Sequence, residues 1–113
     1  LPDWVTVAKL GDLREGEGKM VRPALGRLRG KSVALFHEKG QYYALNYICP
    51  HAGGPVGEGT IKDGVVTCPL HAYAYHAATG QPSGIHEHYI STYELRVQGD
   101  EVQLGAVRKP VLA

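Results

Sequence analysis

The chain has 113 residues, 43% of them hydrophobic, with 12 Lys/Arg against 11 Asp/Glu. That length holds one domain, 1–113, small enough for a bound metal centre to contribute materially to its stability. The near-neutral charge excludes the basic excess of a nucleic-acid-binding surface, and no run reaches the roughly eighteen apolar residues that cross a membrane as a helix.

Glycine is abundant, helix-length amphipathic runs are missing, and short apolar segments alternate with turn residues, a pattern that predicts an all-β chain. Trp4 to Ala8 reads as the first strand. Lys9 to Glu15, ending at Gly16, is expected to make one helical turn. Lys19 to Leu25 is expected to be extended, with Pro23 marking an edge strand or a bulge. Ser32 to Glu38 and Gln41 to Tyr47 form a hairpin across Lys39-Gly40, and the second strand runs straight into Cys49. Thr60 to Lys62 and Val65 to Thr67 flank Asp63-Gly64, the sequence of a tight two-residue turn, and lead to Cys68. Tyr93, Leu95 and Val97 alternate with polar residues, turn at Gly99-Asp100 and return through Val102 and Leu104. Arg108 to Ala113 reads as a tail.

Both cysteines and two of the six histidines lie in Cys49-Pro50-His51 and Cys68-Pro69-Leu70-His71, separated by sixteen residues. These pairs, C-x-H and C-x-x-H, predict a four-ligand metal site. Thiolate and imidazole suit zinc or an iron–sulfur cluster. In the common zinc fingers two cysteines share one knuckle and two histidines share a helix. Here each loop brings one Cys and one His, an order that suits a two-iron rhomb with sulfur on one iron and nitrogen on the other. A disulfide between Cys49 and Cys68 is the weaker reading, since it leaves two histidines at ligand spacing without a role. Cysteines consumed by metal fit a reducing compartment, most simply the cytoplasm.

The pattern C-x-H, sixteen residues, C-x-x-H resembles the Rieske family, and specifically its small soluble ferredoxins, in which two His replace two Cys on one iron of a [2Fe–2S] cluster. The aromatic residues after His71, followed by Thr79-Gly80-Gln81-Pro82, are similar to the continuation found in those ferredoxins. The resemblance implies an antiparallel β-sandwich or barrel base carrying a small cluster-binding subdomain, about 48–84, made of two loops. It implies one [2Fe–2S] cluster per chain on Cys49, His51, Cys68 and His71. The expected role is a one-electron carrier, not an enzyme, taking electrons from a reductase and passing them to a terminal oxygenase or similar acceptor. Docking is expected to be transient, at the His51/His71 face, with Pro50, Ala52, Leu70, Ala72 and Tyr73 as rim; neither nucleic acid nor membrane is an expected partner. Two other readings remain: a zinc-stabilised binding module, and a small subunit of a nitrite-reductase-like complex.

The chain also departs from its relatives. High-potential members join the two loops by a disulfide at the places held here by Gly54 and Leu70, and carry a Ser at the place of Tyr73, although a Tyr stands at the matching position 75. Fewer hydrogen bonds to the cluster are therefore expected, and a potential in the lower part of the family's range. Tyr75 is a candidate to pack against the cluster. Where relatives have a proline-rich loop, this chain has Ser83-Gly84-Ile85-His86-Glu87-His88. An exposed loop is the expectation there, with a second metal or proton transfer at His86 and His88 the minor one. His37 and His76 read as surface or half-buried residues.

Overall fold

The computed structural model describes residues 4–24, 26, 28–50, 53–70 and 72–109. Their strands are β1 (Val5–Lys9), β2 (Glu17–Val21), β3 (Val33–Glu38), β4 (Gln41–Asn46), β5 (Thr60–Lys62), β6 (Val65–Thr67), β7 (Ala74–His76), β8 (Pro82–Ser83), β9 (Thr92–Gln98) and β10 (Glu101–Arg108), with one 3-10 turn at Val56–Glu58. The chain is all-β and its strand pairs are antiparallel. One sheet has the order β1-β10-β9-β4-β3-β2, and a smaller one the order β5-β6-β7-β8.

The tight turns form where the sequence predicts them. Lys39 and Gly40 have φ of 52° and 76°, and Asp63 and Gly64 have φ of 52° and 78°. Two successive left-handed residues match the right-handed twist of the strands they join. The helical turn expected over Lys9 to Glu15 does not form. Asp12 and Glu17 N–H donate to the Lys9 and Arg14 carbonyls, both at 3.0 Å, while the Asp12 carboxylate accepts from Lys9 N–H at 2.8 Å. A short acidic side chain that binds its own backbone competes with helix. β2 lies at the edge of its sheet but stops before Pro23, and Leu25 lies outside the described residues. The expected tail starts too early: β10 continues to Arg108, which pairs with Thr92, and 110–113 lie outside the described residues.

β3 is the wall between two cores. Its successive side chains point to opposite faces. Val33 and Leu35 join Ala8, Val21, Tyr93, Val102 and Leu104 in one core. Ala34 and Phe36 join Leu45, Val56, Ile61, Val66, Tyr75, Ile90 and both cysteines in the other. Burial on both faces explains why Val33-Ala34-Leu35-Phe36 is continuously apolar.

Glu38, at the end of β3, ties the small sheet to the large one. It is 6% exposed, and its carboxylate accepts from the N–H groups of Asp63 at 2.6 Å and Gly64 at 2.8 Å. Lys39 adds an ion pair to Asp63. Both ends of that pair are exposed, so little stability rests on it. Replacing Glu38 by Ala leaves two turn donors without their acceptor and is expected to cost about 2 kcal/mol. The check is a lower urea midpoint at unchanged slope; an unaltered midpoint would show that the clamp contributes nothing.

Candidate metal centre

Two loops of matched shape deliver the cysteines. β4 runs through Tyr47 and Ile48 to Cys49, whose N–H donates to the Gly54 carbonyl at 2.8 Å. β6 runs directly to Cys68, whose N–H donates to the Tyr73 carbonyl at 2.7 Å. Each loop is thus closed by the amide of its cysteine onto the carbonyl five residues on. The residue before the closing carbonyl is left-handed in both cases: Gly53 at φ 74° and Ala72 at φ 56°. An Ala held there costs on the order of 1 kcal/mol, so the loop shape is imposed by its surroundings.

The loops meet at Gly54. A Cβ on that residue would stand 2.8 Å from Cys68 Sγ and 2.8 Å from Leu70 Cβ. Only a residue without a side chain lets the first loop lie against the second cysteine. Cys49 is 2% exposed and Cys68 is fully buried, and both are free thiols. Burial pushes the Cys68 thiol up from its ordinary range; the Leu70 backbone N–H pulls it back, and the neighbouring Cys49 thiol pushes it up again. Both cysteines are free, in place of the disulfide that is the weaker reading of the sequence. His51, Ala52 and His71 lie outside the described residues.

Tyr75 on β7 is fully buried and its hydroxyl lies 3.2 Å from Cys49 Sγ. Burial, and then the Cys49 thiol, raise the phenol well above its ordinary value, so at any physiological pH it remains a hydroxyl able to donate. Its partner was not legible in the sequence, which pointed only to an aromatic near the site. Together with the Leu70 N–H, which pulls the Cys68 thiol down, the Tyr75 hydroxyl gives the cysteine sulfurs two hydrogen-bonding neighbours.

The other histidines divide. His76 is exposed. His37 is half-buried, its Nδ1 donating to the Leu13 carbonyl at 3.1 Å and its ring stacked on Tyr42 at 4.5 Å. His86 and His88 do not lie in an open loop: both are half-buried, their rings 5.9 Å apart and close to Tyr73. His86 Nε2 donates to the Ala74 carbonyl at 2.8 Å and its Nδ1 accepts from His88 N–H at 3.2 Å. With both ring nitrogens engaged, His86 offers no lone pair to a second metal. Of the expected rim, Pro50, Leu70 and Ala72 are exposed and Tyr73 is half-buried; Ile48, 46% exposed, extends the apolar surface.

Paired buried thiols with hydrogen-bond donors aimed at them fit the sulfur half of an iron–sulfur centre. Zinc would also accept thiolates. Comparison with known proteins separates the two. A family model described as Rieske [2Fe-2S] domain matches residues 3–94. The chain is 29% identical over 79 residues to the ferredoxin component of the naphthalene 1,2-dioxygenase/salicylate 5-hydroxylase systems of Ralstonia sp, covering 70% of this chain and 71% of that protein. It is 27% identical over 107 residues to Ferredoxin CarAc of Metapseudomonas resinovorans, covering 94% and 96%. A solved complex of reduced oxygenase and oxidized ferredoxin in carbazole 1,9a-dioxygenase contains a chain that superposes with a TM-score of 0.78 at 25% identity, covering 96% of this chain and 97% of that one.

Proposed function

The chain belongs to the Rieske [2Fe–2S] family, and from that premise we propose that it is a one-electron carrier which receives its electron from a reductase and gives it to a terminal oxygenase or similar acceptor. Cys49, His51, Cys68 and His71 would hold one [2Fe–2S] cluster per chain, in a cluster-binding subdomain of about 48–84. The observation that carries this reading is the meeting of two free, buried thiols at the ends of two matched loops. When bound, the cluster supplies a one-electron couple at a potential above that of all-cysteine centres.

The residues of the chain do the rest. The apolar core around Cys49 and Cys68 keeps water from the sulfurs, while the Tyr75 hydroxyl and the Leu70 N–H are turned toward them. Pro50, Leu70 and Ala72 supply a small apolar rim for brief docking, centred on the His51/His71 face. The relatives named above are ferredoxin components, which supports a carrier over an enzyme and over a zinc-held binding module. Free thiols suit a reducing compartment, and the cytoplasm is the simplest assignment. Among the described residues, no helix is long and apolar enough to cross a membrane.

The test is composition and magnetism. Protein isolated without reconstitution should contain iron and acid-labile sulfide in equal amounts and give a mixed-ligand [2Fe–2S] paramagnetic signal after reduction with dithionite. One zinc per chain without sulfide would sink the proposal.

Tyr75→Phe probes the site more finely. A hydroxyl that donates to Cys49 sulfur favours the electron-rich state. Its loss is expected to lower the reduction potential by roughly 40 mV, the equivalent of about 1 kcal/mol for one electron. A redox titration that finds the potential unchanged would show that the hydroxyl does not reach the sulfur in the loaded protein.

A further inference from the structure

The segment Ser83-Gly84-Ile85-His86-Glu87-His88 packs directly behind the sulfur-facing tyrosine. After the two-residue strand β8 the chain turns at Gly84, with φ 102°, and Ile85 projects wholly into solvent. His86 turns inward. Its ring stands edge-on to Tyr75 at 5.2 Å and 79° and tilted against Tyr73 at 4.8 Å. Its two hydrogen bonds run to opposite sides, from Nε2–H to the Ala74 carbonyl and to Nδ1 from His88 N–H. Because a carbonyl only accepts and an amide only donates, the ring is fixed in one tautomer and cannot flip without losing both bonds. Ala74 immediately precedes Tyr75, so one imidazole both tethers the loop to β7 and bounds the Tyr75 ring. The far end of that ring carries the hydroxyl on Cys49 Sγ.

We propose that His86 is a positioning residue: its doubly bonded imidazole wedges Tyr75 in place so that the hydroxyl stays on Cys49 sulfur, and so sets part of the centre's reduction potential without touching a ligand. The inference rests on the carrier reading above.

It is tested by measuring midpoint potentials of cluster-loaded protein in a double-mutant cycle. His86→Ala is expected to shift the potential downward, in the same direction as Tyr75→Phe but by less, and to produce no further shift in the Tyr75→Phe background. Equal shifts in both backgrounds, or none in the first, would overturn the proposal. His86→Gln keeps an N–H in reach of the Ala74 carbonyl and should stay nearer the native potential than His86→Asn, which does not. That order carries the test if the Ala variant fails to fold, and its reversal or absence counts against the wedge. Nuclear magnetic resonance of isotope-labelled histidine gives a reading that does not depend on potential: His86 should carry its proton on Nε2 with Nδ1 bare, and the opposite tautomer refutes the geometry. Native protein lacking iron and sulfide would instead sink the carrier reading, whereas a loaded protein indifferent to position 86 removes this inference alone.

Discussion

Replacing His71 by cysteine is expected to leave a cluster in place and to lower its reduction potential by on the order of 100 mV, part of the way toward the range of all-cysteine centres. A neutral imidazole is exchanged for a thiolate, so the centre gains negative charge, and adding an electron to a more negative centre costs more. The shift exceeds that expected from losing a hydrogen bond because a whole ligand charge is added. Redox titration of the variant against the native protein is the check. A potential that does not move would mean that His71 is no ligand, and the four-residue assignment of Cys49, His51, Cys68 and His71 would fail with it.

Gly54→Val is expected to abolish cluster retention. The first added carbon already stands 2.8 Å from Cys68 Sγ and 2.8 Å from Leu70 Cβ, with Leu70 Cδ2 at 3.3 Å. Neither near neighbour can yield as a flexible side-chain end does. Leu70 Cβ is fixed to the backbone, and the sulfur is held in the core and, when ligated, by metal. The loops must therefore part, and Cys49 and Cys68 would no longer be placed to hold a cluster together. Overpacking alone costs about 1–3 kcal/mol, so the cluster-free variant should still fold, with a reduced urea midpoint. Iron and sulfide per chain should fall close to zero. Gly54→Ala, which adds the clashing carbon alone, should have the same effect to a lesser degree. A fully loaded Gly54→Val protein would show that the two loops do not approach in the way described.

Both substitutions act on features of different legibility. Position 71 stands out in the sequence, because a histidine three residues after a cysteine, echoed by Cys49 and His51, has few other uses. Gly54 reads locally as a turn residue, and the resemblance places it opposite Leu70, but neither tells that a side chain there would meet the Cys68 sulfur. Lys9 to Glu15 failed as a helix for one local reason and one distant one. Its outcome was decided by Asp12 on its own backbone and by Glu15, whose carboxylate accepts from Lys39 N–H at 2.9 and 2.7 Å. His86 and His88 were expected in an open loop because polar residues after a Gly are commonly solvated; rings of Tyr73 and Tyr75 instead gave them an aromatic bed.

The amino-acid sequence alone determined the all-β character, the hairpins at Lys39-Gly40, Asp63-Gly64 and Gly99-Asp100, and the ligand spacing that points to the family. These follow from side-chain alternation and turn chemistry, which act over a few residues. Only the tertiary structure decided what surrounds the sulfurs: the Tyr75 hydroxyl on a cysteine 26 residues away, the bare Gly54 beside Cys68, and His86 locked behind Tyr75. Such contacts arise when two sheets close on a shared core, and no local pattern encodes which distant side chain that closure brings to hand.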